Sequence, residues 1–332
     1  MTAAAEPEGG WAPTAVQGLL LDAAFGARER AEDAFARWVH ATDFDIIDHE
    51  SFTLLPLVAH HLDELGVETP ESPRLRGIVR RSWLEHQLVL RDALPTVDAL
   101  IARELDVILV GGAALGALVY ESPALRPILQ VEVLVPEHAG DAGSPARPAD
   151  TPVHVRTHAA DEWRWPGADD GLRASARPCP LLDRPMRALA PEDELLLACV
   201  RGARWTPVPQ VQWIADARMV LARAPCSWPA LIARAVELRV TDRVGLALEL
   251  LADRFAAPVP AGVVADLRRA PVERGEAAWF AAQRRPRSRR SLPVMYGAYS
   301  RRFPADAGLA RKLIALPGAT ARRLGERRRR EE

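Results

Sequence analysis

Between Asp106 and Arg156 this 332-residue chain passes from a β-branched run through a glycine pair into a helical period and then into that of a strand. Few folds accommodate that order. Asp106 to Val110 is a short β-branched run that ends in Gly111 and Gly112. Ala113 to Tyr120 returns to a helical composition. Leu129 to Val135 then alternates with period two, as a half-buried strand does. Gly, Pro, Ala and Asp dominate 136–151, which reads as a loop, and Val153 to Arg156 reads as a third strand. The centre is expected to run strand, glycine turn, helix, strand, loop, strand.

Helical spacing prevails on both sides. Leu19, Leu20, Ala23, Ala24 and Ala27 make one apolar face; Leu54, Leu55, Val58, Leu62 and Leu65 make another. Ser51 is placed to cap the second helix and Gly66 to end it. Pro70 and Pro73 set it apart from a longer helix that runs from near Arg74 toward Leu105, with a bend expected at Pro95. Pro191, Glu192, Asp193 and Glu194 form an acidic first turn. Further helices are expected around 209–223, 228–239, 242–256 and 260–269. Four segments result: helical 12–104, an α/β core at 105–190, helical 191–283, and a basic tail at 284–332.

Composition excludes several classes. At 48% hydrophobic the chain can bury a sizeable core, so it is not wholly disordered. Three scattered cysteines make neither a disulfide framework nor a structural zinc site. The first residues lack the basic and apolar regions of a secretory signal, and no charge-free apolar run of about 18 residues occurs. A cytoplasmic location is expected. The net charge of −1 conceals an asymmetry: Arg268–Glu332 carries +12 and the preceding 267 residues −13. Few aromatics interleave with the tail arginines, which argues against nucleic acid as a partner. The short basic amphipathic stretch Leu309 to Leu316 could touch an anionic bilayer weakly, but peripheral membrane contact is not the expected role.

The segment Val107–Val135 resembles the uncharacterised nucleotidyltransferase family with a DNA polymerase β-like fold. Its helix start is matched by Val110, Gly111, Gly112, Ala113, Ala114 and Leu115, its tyrosine by Tyr120, and its arginine-proline turn by Leu125, Arg126, Pro127 and Ile128. Its acidic strand is matched by Gln130 through Val135. Leu54 to Leu57, Trp83, Leu189 to Asp193 and Trp213 to Asp216 extend the likeness over most of 12–270. The resemblance implies an α+β fold, a small mixed β-sheet flanked by N-terminal and C-terminal helical segments. It also implies a nucleoside triphosphate held by Gly111, Gly112, Ala113 and Arg126, with Mg²⁺ on strand carboxylates. Two acids at i and i+2 on a strand face the same way and can share such an ion, which a hard dication requires.

Here the sequence departs from the family pattern. Gln130 stands at the first aspartate and Glu132 at the second, while only His154 within Pro152 to Arg156 could be a third ligand. One charged ligand in place of three holds Mg²⁺ poorly. The expected function is a nucleotidyltransferase-like protein with a degenerate metal site, a pseudoenzyme or a weak catalyst of nucleotidyl transfer to a small-molecule or peptide hydroxyl. One alternative is an active enzyme in which Glu132 holds the metal, helped by Gln130 and His154. The other is a non-catalytic adaptor that works through the basic tail. Plainer readings stand beside these: Gly111 and Gly112 as a simple turn, Glu132 as the wet face of a strand, and Asp43 to Asp48 as turn and cap chemistry. His60 and His61, about 100° apart on a helix, cannot chelate together. Asp216 could cap, pair with Arg218 or Arg201, or reach the cleft.

Overall fold

Gly111 decides where the first strand stops. Its backbone sits at φ +66°, ψ −140°, a region that only glycine occupies without strain, and it turns β1 (Ile108–Val110) into α5 (Gly112–Leu118). In this computed structural model the described residues are 9–137, 152–160, 162–179, 181, 184–272, 274–286, 299 and 303. The stretch 138–151 and nearly all of the basic tail, Leu309 to Leu316 included, lie outside them.

Four helices precede the sheet: α1 (Ala15–Phe25), α2 (Arg28–Ala41), α3 (His49–Glu64) and α4 (Ser72–Ala102). Thr14 and Gln17 close a reciprocal capping box on α1. Asp48, not Ser51, caps α3. The Asp48 carboxylate accepts from the Ser51 N–H at 2.9 Å and from its hydroxyl at 2.6 Å, so Ser51 supports the cap from the first turn. Gly66, at φ +65°, ends that helix as expected. Pro95 lies inside α4, which continues to Ala102.

After α5 come a 3₁₀ turn (Pro123–Leu125), β2 (Val131–Leu134) and β3 (Val153–Arg156). They are followed by α6 (Asp170–Ser175), β4 (Arg177–Pro178) and β5 (Arg187–Ala188). The sheet order is β3-β2-β1-β5-β4. β1 pairs antiparallel with β2 and parallel with β5, β2 runs parallel to β3, and β4 closes antiparallel on β5. This small mixed sheet, with helical segments on both sides, is the α+β architecture expected.

The C-terminal helices are α7 (Pro191–Gly202), α8 (Gln212–Arg223), α9 (Trp228–Glu237), α10 (Thr241–Phe255), α11 (Ala261–Arg269) and α12 (Arg274–Gln283). No helix among the described residues is long and apolar enough to cross a membrane.

Period-two alternation gives each strand two audiences. Leu109, Val131, Val133 and Val153 pack on one face with Leu90 and Val97 of α4. Ile108, Val110 and Leu134 turn the other way, into a core shared with Leu54 of α3, Leu196 of α7, Ile214 of α8 and Leu248 of α10. Glu132 lies opposite Val110 and His154 in the register, and Leu134 opposite Arg156. Glu132, His154 and Arg156 are therefore carried on the face that meets the C-terminal helices.

Candidate active site

The sheet brings Gln130, Glu132 and His154 together. Gln130 Nε2 lies 3.1 Å from His154 Nδ1, and Glu132 is the direct cross-strand neighbour of His154. Two guanidiniums clasp Glu132. Arg156 donates through Nε to Oε2 at 2.8 Å, and Arg201 of α7 reaches the same oxygen through Nη2 at 3.0 Å. Glu132 is half-buried, its side chain 20% exposed. Burial would lift its carboxyl, but Arg201 and Arg156 outweigh that and hold it below the usual range.

Arg201 joins the strand to the glycine turn. Its Nη2 also donates to the Ala159 carbonyl at 2.9 Å. Its Nη1 lies 3.2 Å from where a Cβ on Gly111 would stand. The Gly111 N–H faces Glu194 of α7, 3.4 Å from Oε1. Burial pushes the Glu194 carboxyl up to about 8; Arg201 and the Gly111 N–H oppose the rise, while Asp216 and Glu132 add to it. Glu194 is thus mostly protonated at neutral pH. Gly112 is required for another reason: a Cβ there would lie 2.8 Å from Ile128 Cγ2 and 3.2 Å from Arg126 Cζ. Ala113 is buried in the sheet core at the start of α5.

Arg126 forms a two-pronged clamp whose partner is a protein carboxylate. Its Nε and Nη2 donate to Asp216 Oδ1 and Oδ2 at 2.7 and 2.9 Å, and its Nη1 to the Pro127 carbonyl at 2.7 Å. Tyr120 donates its hydroxyl to Asp216 Oδ1 at 2.8 Å. Burial, then the Asp216 charge, drives the Tyr120 pKa well above its ordinary value, so it remains a donor. Of the roles open to it, Asp216 takes a buried ion pair with Arg126, rather than one with Arg218 or Arg201. Neither Glu194 nor Arg201 stands out as a site residue in the sequence. The acidic first turn of α7 was legible, but only the fold sets its third acid against Gly111.

The donor set around Glu132 does not fit Mg²⁺. Gln130 offers an amide, and the single strand carboxylate is already neutralised by guanidiniums. Among the described residues, the group of three potential ligands within 4.8 Å of one another is His60, Glu64 and Glu121, on α3 and just after α5. It does not include Glu132, and Arg223 is ion-paired with Glu121. A cleft of about 240 Å³ opens elsewhere, lined by Phe44, Phe52, Arg74, Gly77, Ile78 and Arg81.

Removing the Glu194 acid is expected to show in the pH dependence of stability. Because its pKa is raised from an ordinary 4.5 to about 8, the folded chain keeps a proton that the unfolded chain has already released. The contribution of Glu194 to stability therefore falls as pH rises through that window. The Tm of Glu194→Gln relative to wild type should climb between about pH 5 and pH 8 and level off above, read by scanning calorimetry. A difference that stays constant with pH would place no such titration at Glu194.

Residues 152–256 match the family model described as uncharacterised nucleotidyltransferase. That match supports an uncharacterised nucleotidyltransferase family for this chain, and a nucleotidyltransferase-like domain within it. It spans His154, Arg156, Glu194, Arg201 and Asp216 and begins after Glu132. No curated protein and no solved structure matches the chain. Nucleotidyltransferases typically use Mg²⁺ and act on nucleotides.

Proposed function

We propose, from the uncharacterised nucleotidyltransferase family as premise, that the chain binds a nucleoside triphosphate at the Gly111 turn and has a degenerate metal site. Nucleotidyl transfer to a hydroxyl acceptor is then weak or lost. The observation that carries this reading is the state of Glu132: the one acid on β2, with Gln130 just before the strand at the family's first acidic position, held by Arg156 and Arg201. In-line displacement at phosphorus needs cations that bridge the phosphates and draw off charge from the attacking and leaving oxygens. Here the strand supplies a single carboxylate whose charge is already spent on two guanidiniums. Gly111 makes the tight turn into α5, which Gly112 and Ala113 begin, and the Arg126 guanidinium lies against Gly112 while paired with Asp216 of α8.

Two measurements test it. Transfer of a radiolabelled nucleoside monophosphate from each of the four triphosphates, with Mg²⁺ or Mn²⁺, is expected to stay at background. Sustained turnover that Glu132→Gln abolishes would reinstate an active enzyme with altered ligands. The double variant Gln130→Asp/Glu132→Asp is expected to bind Mg²⁺ at least ten-fold more tightly than wild type, about 1.4 kcal/mol, because two carboxylates replace one. Unchanged affinity in titration calorimetry would mean that the two positions do not form the site.

A further inference from the structure

The misfit between the Mg²⁺ that the family implies and the residues around Glu132 has a constructive side. A guanidinium and a divalent cation do the same electrostatic work on phosphate oxygens, and a guanidinium adds directed hydrogen bonds. Arg201 is placed for that work. It leaves α7 one residue before the helix ends, lies against the Gly111 turn, and shares its carboxylate with a second guanidinium. A second acid that acts on it, Glu194, is raised by burial to about 8. An anion arriving from solvent supplies what Glu132 gives only in part. The Arg201 side chain keeps 24% of its surface open to receive it.

We propose that Arg201, flanked by Arg156 and the Gly111 turn, stands in for the family's divalent cation and binds the phosphate chain of a nucleotide without metal. This deepens the nucleotide-binding reading above and rests on it. Glu132 then acts as a placeholder anion that holds both guanidiniums in position until phosphate oxygens displace it. The two views of Glu132 make opposite forecasts. As a metal ligand, its loss weakens phosphate binding. As a placeholder, its loss frees the Arg201 cation and strengthens binding.

The test is titration calorimetry of ATP and of inorganic triphosphate into the full chain, in EDTA and in Mg²⁺. In wild type, binding of ATP in EDTA is expected within about three-fold of that in Mg²⁺, since no metal has to be recruited. Arg201→Gln should weaken metal-free binding at least ten-fold, the scale of one charge-assisted contact. Arg201→Lys should retain part of it, and Glu132→Gln should tighten it several-fold. Binding that disappears in EDTA and returns with Mg²⁺ would overturn the proposal while leaving nucleotide binding intact. Loss of affinity in Glu132→Gln would overturn it as well. Triphosphate binding without ATP binding would uphold the arginine site and remove the nucleotide reading. Silence from both ligands in both buffers would remove the two together. Should Arg201→Gln fail to fold, the wild-type comparison of EDTA with Mg²⁺ decides the matter unaided.

Discussion

Asp216→Ala is expected to cost about 3–5 kcal/mol of folding stability, the penalty for stripping a buried cation of its partner. Asp216 is only 5% exposed and answers three donors at once: Nε and Nη2 of Arg126 and the hydroxyl of Tyr120. Gln212 adds a fourth, longer contact from Nε2 at 3.3 Å. Truncation leaves the Arg126 charge with only the Pro127 carbonyl and the Tyr120 hydroxyl with the amide of Gln212. Asp216→Asn, which keeps the shape and one acceptor, should cost distinctly less. The double variant Asp216→Leu/Arg126→Met should recover much of the loss, because it removes the stranded charge along with its partner. Urea unfolding of the four proteins checks this. A loss below about 1 kcal/mol for Asp216→Ala would mean that water replaces the carboxylate and that the network contributes little.

Gly202→Ala is expected to be nearly as damaging, about 3 kcal/mol, at the upper end of overpacking. Gly202 is the last residue of α7, and a Cβ there would stand within the indole of Trp213, itself 5% exposed on α8. The rigid ring cannot swing away as the end of a long flexible side chain would. One helix must retreat from the other. Arg201 and Asp216 flank this contact in sequence, so the shift should also loosen their hold on Glu132 and Arg126. Trp213→Leu in the same background should restore part of the stability by making room. Purely additive losses in thermal unfolding would show that the clash is relieved elsewhere.

Much of this molecule could be read from the chain. Val153 to Arg156 is a strand at the expected residues, and the helices expected around 209–223, 228–239, 242–256 and 260–269 run over 212–223, 228–237, 241–255 and 261–269. Period and punctuation are local properties, and they were local enough to see. The hairpin of β4 and β5 escaped because two-residue strands carry no period. The site was legible in one direction only. Alternation put Gln130 and Glu132 on one face and register brought His154 beside them. One of the two guanidiniums on Glu132 comes from α7, 69 positions later, and the carboxylate that answers Arg126 comes from α8, 90 positions later. Arginines are abundant in this chain, so composition gave no reason to prefer Arg201 over its neighbours. Such pairings are set by helix packing, which no spacing rule encodes.

β4 ends the described sheet with Pro178, whose nitrogen carries no hydrogen. A second chain that tried to lengthen the sheet there would find a two-residue rim missing one of its donors, next to an exposed Arg177. That border is thereby closed to strand-by-strand self-association, a protection that depends on a single imino acid.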